Sequence, residues 1–201
     1  MAKSRHRGSG VEGLVVLPTD TVYGIGANPW SHAAIDALLL AKGRGKQMPP
    51  PVALPDAIWL DTLADFKTEV ERERAHRLAK AFWPGPLTLV VHTDEPFGWD
   101  LRETGGTVAL RVPDHPVALQ VLRQSGPLAL TSANTTGNPP ARTVAQAREY
   151  FGDTVGRYVD GGPLLPGPAS TILDITGADL RLLRQGALGL DQLQAVLDGG
   201  E

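Results

Sequence analysis

The residues best suited to chemistry in this chain are hydroxyls, an amide and cations, gathered in five short polar segments. The first, PTDTVYGIG at 18–26, ends a strand at Pro18 and presents Thr19, Asp20, Thr21 and Tyr23 ahead of two glycines. Ligands bind at strand ends in α/β sheets, although such hydroxyls serve equally to satisfy a turn's own backbone. The second, KGRGKQMPPPVAL at 42–54, alternates Lys42, Arg44 and Lys46 after a helix. A helix C-terminus favours cations through its dipole. The same trio suits phosphate, with arginine giving planar bidentate contacts and lysine a point charge. The proline run behind it limits the entropy lost on binding.

The third segment, TVALRVP at 107–113, sets Arg111 in an otherwise apolar strand, where it must face solvent or a partner anion. The fourth, LTSANTTGNPP at 130–140, runs from a strand into Thr131, Ser132, Asn134, Thr135 and Thr136. That density of small hydrogen-bonding groups suits an adenine or amino-acid pocket, or an ordinary Asx or ST turn. In the fifth, at 166–188, Ser170 and Thr171 open one strand and Arg184 closes the next.

Other chemistries lack their signatures. No Walker A loop occurs, Pro29 breaks the dinucleotide fingerprint begun by Gly24 and Gly26, and neither G-x-S-x-G nor H-E-x-x-H is present. The five histidines, at 6, 32, 76, 92 and 115, lack metal-ligand spacing, so no metal residues are expected. With no cysteine there is no disulfide, zinc–thiolate site or thiol nucleophile.

The elements that must position these groups alternate in type. Strands are expected at 11–19, 51–54, 87–93, 107–113 and 128–134, with three more within 157–186. Ser31 caps a helix over 32–42 that Gly43 ends, and Thr68 with Glu71, and Thr143 with Gln146, have capping-box spacing for helices to Phe82 and Phe151. Further helices are expected at 116–124 and 190–198. Alternating elements with late strand pairs imply an α/β (α+β) fold with a mixed sheet.

The 201 residues, 42% of them hydrophobic, suit one domain over 10–201 behind a basic tail at 1–9. MAKSRHRG has no apolar core, so it is not a signal peptide, and no run is apolar enough to span a bilayer. A cytoplasmic protein with no membrane partner is expected. Its net charge of −3 is unlike a dedicated nucleic-acid binder, so contact with a polyanion would rest on a local patch.

Taken together and in order, PTDTVYG, K-x-R with its prolines, FWPGPLT, A-x-R-x-P, TSAN-x-x-G and S-T-I before R-x-G resemble the YrdC-like family over about residues 11–188. The resemblance implies a twisted mixed sheet with helices packed on it and a concave basic cleft. It implies a threonylcarbamoyl-AMP synthase, a nucleotidyltransferase that makes threonylcarbamoyl-AMP and pyrophosphate from L-threonine, bicarbonate and ATP. A transferase then moves the threonylcarbamoyl group to a tRNA adenosine. It further implies catalytic roles for Lys42 and Arg44 and threonine contacts from Thr21, Arg111, Ser132 and Ser170. Nucleotide contacts would come from Lys42, Arg44, Met48, Thr107, Asn134, Arg142 and Arg184. Mg²⁺ would ride on the phosphates without dedicated protein ligands. The chain resembles the family's short form, which lacks an extra C-terminal domain. It departs from the family pattern at Gly45, Met48, Pro50 and Ala53. The other reading is a non-catalytic paralogue that binds double-stranded RNA or tRNA through the same cations.

Overall fold

A computed structural model describes residues 11–45 and 49–199. Among these, nine strands form one sheet: β1 (Val15–Leu17), β2 (Gly24–Ala27), β3 (Val52–Ala53), β4 (Leu87–His92), β5 (Thr107–Arg111), β6 (Leu128–Ser132), β7 (Arg157–Tyr158), β8 (Thr171–Asp174) and β9 (Arg181–Arg184). Their order across the sheet is β7-β1-β2-β6-β3-β5-β4-β8-β9. Pairs β1–β7, β3–β5 and β4–β8 are parallel and the other five are antiparallel, so the sheet is mixed as expected. The helices are α1 (His32–Lys42), α2 (Trp59–Leu63), α3 (Glu69–Phe82), α4 (Pro116–Ser125), α5 (Val144–Phe151) and α6 (Leu190–Leu197). None of the described helices is long and apolar enough to cross a membrane.

The side-chain period of two decides what each strand does. On β4, Leu87, Leu89 and Val91 point into a core shared with Leu78 and Ala79 of α3, Leu60 of α2 and Leu193 of α6, while Thr88 and Val90 face an open cavity. On β5, Leu110 belongs to that core, while Ala109 and Arg111 line the cavity. On β1, Val16 packs towards α1 and α5, whereas Val15 and Leu17 pack with Leu122 of α4. Helices therefore cover both faces at one end of the sheet, and one face of the β3-β5-β4-β8 region remains concave and available.

The helix starts follow the caps. Ser31, Thr68 and Thr143 accept hydrogen bonds from Ala34, Glu71 and Gln146 respectively, and Gly43 ends α1 at φ 62°, the left-handed conformation that glycine adopts without penalty. The Glu71 carboxylate does not turn back onto Thr68. It is 1% exposed and accepts from the backbone of Lys67 at 3.0 Å and of His92 at 2.8 Å, tying α3 to the end of β4.

Two elements were not expected. β2, Gly-Ile-Gly-Ala, has little intrinsic strand preference. Pairing on both sides, with β1 and β6, makes it a strand. Its glycines leave room for Leu130, whose Cδ1 would lie 2.8 Å from a Cβ at Gly24 and 2.9 Å from one at Gly26. Helix α2 has no side-chain cap, so nothing local announces it. The strand expected over 11–19 is shorter, at Val15–Leu17: residues 11–14 lie outside the ladder, and beyond Leu17 the chain turns, with the Thr19 amide donating to the Val22 carbonyl at 3.1 Å. The expected tail at 1–9 lies outside the described residues.

Replacing Thr68 by Ala removes the α3 cap without touching the cavity, and should destabilise the fold by about 1 kcal/mol. Urea unfolding should show a lower midpoint with an unchanged slope.

Candidate active site

The concave face encloses a cavity of about 590 Å³, large enough for a nucleotide-sized ligand. Thr21, Arg44, Thr107, Arg111, Ser132, Ser170 and Arg184 all line it, although they lie as much as 163 positions apart between Thr21 and Arg184. They meet because β6 and β3 stand between β2 and β5, which brings the turn after β1 opposite the end of β5, while β8 and β9 close the far side.

Arg111 is held tightly. Its Nε donates to the carbonyl of Gly85 at 2.9 Å, its Nη2 to Asp20 Oδ1 at 2.6 Å, and its Nη1 to Thr21 Oγ1 at 3.4 Å. Arg184 is held by neutral acceptors. Its Nε donates to the Ser170 carbonyl at 3.0 Å and its Nη2 to Ser170 Oγ at 2.8 Å, and that hydroxyl sits 3.0 Å from Thr88 Oγ1. Thr107 Oγ1 donates to the Thr104 carbonyl at 2.8 Å, which fixes the mouth of the 3-10 turn at 101–104.

Lys42 lies one layer behind this wall. It is 3% exposed, and its ammonium donates to the carbonyls of Ser132 at 2.5 Å and Asn134 at 2.6 Å and to Asn134 Oδ1 at 3.1 Å. These three nearest acceptors match the three protons of an ammonium, with Ser132 Oγ farther off at 3.4 Å. Lys42 thus organises the Ser132–Asn134 turn, and neither it nor Asn134 forms part of the cavity lining. Arg142 is not brought to the cavity either: its Nη1 donates to the Leu165 carbonyl at 2.5 Å, fastening the loop that leads to Ser170. Met48 lies outside the described residues, as does Lys46. Ala53 lines the cavity and offers it a methyl group.

The electrostatics share one direction. Burial pulls the pKa of Lys42 down to about 8, with the charge of Arg44 adding to the effect. Burial also lowers Arg44 and Arg184, and Arg184 is further lowered by the neighbouring charge of Arg111. Burial lowers Arg111 as well, opposed by Asp20. Desolvated cations set this close together suit the cavity to an anionic ligand.

Several lining residues escaped the sequence reading. Thr88 could have been found as the polar member of the alternation Leu87-Thr88-Leu89. Trp99 enters from the 93–106 connection, stacked on Phe97 at 4.5 Å between ring centroids, and no local pattern marks it. Tyr23, singled out with the first segment, points elsewhere. It is fully buried, donates to the Gly162 carbonyl at 2.7 Å and accepts from the Gly161 amide at 3.0 Å.

The Sua5/YciO/YrdC family model, described as telomere recombination, matches residues 11–186. The chain belongs to the Sua5/YciO/YrdC family. A relative from Mycobacterium tuberculosis is 46% identical over 184 residues, covering 92% of this chain and 83% of its own length. The threonylcarbamoyl-AMP synthase of Bacillus subtilis is 40% identical over 188 residues, covering 92% of this chain and 53% of that protein. Among solved structures, Pyrococcus abyssi Sua5 complexed with L-threonine superposes with a TM-score of 0.82 at 38% identity, over 92% of this chain and 54% of that one. Escherichia coli YciO has a TM-score of 0.76 at 22% identity, covering 90% of this chain and 86% of its own, which shows the shared Sua5/YciO/YrdC fold.

Two outcomes follow from this geometry. A Cβ at Gly186 would fall inside contact distance of the backbone from Ala169 to Thr171. Gly186→Ala should therefore push Ser170 away from Arg184 and lower the melting temperature; a wild-type melting temperature would show that this backbone yields. For Lys42, the folded pKa of about 8 lies below the ordinary 10.5, so the unfolded chain binds more protons between those values. Burying the charge costs stability below about pH 8, and that cost is relieved as pH rises towards 10.5. The unfolding free energy of wild type relative to Lys42→Met should accordingly rise across this window, as measured by denaturation at each pH.

Proposed function

We propose that the chain is a threonylcarbamoyl-AMP synthase, joining L-threonine, bicarbonate and ATP into threonylcarbamoyl-AMP with release of pyrophosphate. The observation that carries the reading is the convergence of Arg44, Arg111 and Arg184 with Thr21, Ser132 and Ser170 around one cavity. A family relative of the same fold has been seen with L-threonine, and curated relatives bear the synthase name.

Arg111, fixed on three sides, is the group suited to the amino-acid carboxylate, and the hydroxyls of Thr21 and Ser170 suit its polar substituents. Arg184 and Arg44 suit the phosphates. Lys42 supplies positive charge from behind and holds Ser132 in place. The threonine amine would capture carbon dioxide or bicarbonate to give a carbamate, whose oxygen attacks the α-phosphorus as pyrophosphate leaves. Such a transfer depends on positioning and charge neutralisation rather than on a protein nucleophile.

Among the described residues no cluster of three histidine, aspartate or glutamate side chains could cage a metal, and Asp20 is engaged by Arg111. That donor set fits Mg²⁺ carried by phosphate oxygens and water, where it would neutralise charge on the leaving pyrophosphate. The product would pass to a transferase acting on tRNA, and a cytoplasmic location suits that role.

The pure protein incubated with ATP, Mg²⁺, bicarbonate and threonine should yield the mixed anhydride by mass spectrometry; its absence under all conditions would overturn the assignment. Arg111→Ala should raise the threonine KM by about tenfold or more, the loss of a charge-assisted contact. Arg184→Ala should act mainly on the ATP KM.

A further inference from the structure

We infer that Asp20 is a positioning residue: with the Gly85 carbonyl, it locks the Arg111 guanidinium in the orientation that receives the substrate carboxylate. The inference rests on the reading of Arg111 given under Proposed function.

Asp20 Oδ1 accepts from Arg111 Nη2 at 2.6 Å and from the backbone N–H of Asp114 at 3.1 Å. The second bond ties the carboxylate to the segment just beyond the strand that carries Arg111, so the pair is anchored at both ends. Both side chains are largely shielded, at 13% exposure for Arg111 and 16% for Asp20. Thr19 and Thr21 on either side of Asp20 line the cavity and Asp20 does not, because the chain turns between Thr19 and Val22 and aims the Asp20 carboxylate at Arg111. Asp20 therefore reaches substrate only through Arg111.

The second anchor gives a role to the WPGP turn, which the catalytic reading leaves unused. The Gly85 amide donates to the Val112 carbonyl at 2.9 Å while its carbonyl accepts from Arg111 Nε at 2.9 Å. A side chain at Gly85 would strike the Phe82 carbonyl, so the turn comes this close only as glycine. Arg111 is thus held from behind by a carboxylate and from the side by a carbonyl.

Charge explains why a carboxylate is needed on Arg111. Among the described residues the hydrogen-bond partners of Arg184 are the neutral acceptors of Ser170, and the charge of Arg111 lies close enough to lower its pKa. Two such cations repel, and an untethered Arg111 would swing away from Arg184 and away from the cavity. Asp20 offsets that repulsion. A guanidinium fixed before binding spares the ordering cost that a mobile one would incur on meeting its anion.

The test is steady-state kinetics, with melting temperatures, on Asp20→Ala, Asp20→Asn, Arg111→Ala and the Asp20→Ala/Arg111→Ala double variant. Asparagine keeps an oxygen acceptor for Arg111 and Asp114. Asp20→Ala should raise the threonine KM by about tenfold and leave the ATP KM within about twofold, whereas Asp20→Asn, which keeps the acceptor but not the charge, should recover only part of the loss. In the double variant, Asp20→Ala should add nothing to Arg111→Ala, since a residue acting through Arg111 has no further effect once Arg111 is gone. Equal rises in both KM values, or full additivity, would mean a general structural role and overturn the assignment. If Arg111→Ala raises the threonine KM and Asp20→Ala does not, the positioning role falls while the carboxylate reading stands. If neither variant changes it, the carboxylate reading itself falls. Should the alanine chain fail to fold, Asp20→Ser, too short to reach Arg111, is read by the same criteria.

Discussion

Crowding of desolvated positive charge is the constraint on which the rest of this molecule depends. Arg111 and Arg184 lie within each other's field, Lys42 feels Arg44, and burial lowers the pKa of all four. Cations in a water-poor site are costly unless something answers them. The protein answers in part: Asp20 on Arg111, the Ser170 carbonyl and hydroxyl on Arg184, and three oxygens on the Lys42 ammonium. The clustered positive charge suits a polyanion, and the proposed nucleotide phosphates and amino-acid carboxylate have that character.

The sheet exists in this form to hold that arrangement. Its central strands split their residues between a helix-covered core and the cavity wall, so the leucines of β4 that stabilise the fold also aim Thr88 at Ser170. Glycines do the close work: those of β2 admit Leu130, and Gly186 admits the backbone that carries Ser170. In both places a neighbouring strand fills the volume where a side chain would stand.

What could be read from the sequence divides along the same physical line. Local signals were dependable, because Ser31, Thr68 and Thr143 act within three residues of themselves. The strands at 87–93 and 107–113 were equally visible, but the alternation that sends Thr88 to the cavity was not read. Strand β2 was hidden because its stability comes from neighbours on both sides. The site residues could be picked out as unusual polar positions, and the resemblance ordered them, but no local rule says where a long cationic side chain ends. Lys42 and Arg142 show this: both were expected to grip nucleotide, and here one gathers the Ser132–Asn134 turn while the other fastens the loop at 165. Asp20 was noted only as part of a turn, since its importance lies in Arg111, 91 positions away.

The two outer strands of the sheet, β7 and β9, are its exposed margins. An open margin invites a second sheet to add on, and proteins discourage this with short strands and charge. β7 has two residues and begins with Arg157, while β9 is Arg-Leu-Leu-Arg, with an arginine at each end. Arg184 is one of that pair. Its guanidinium is turned inward onto Ser170, so the charge that discourages pairing at this margin falls to Arg181, whose side chain is 71% exposed.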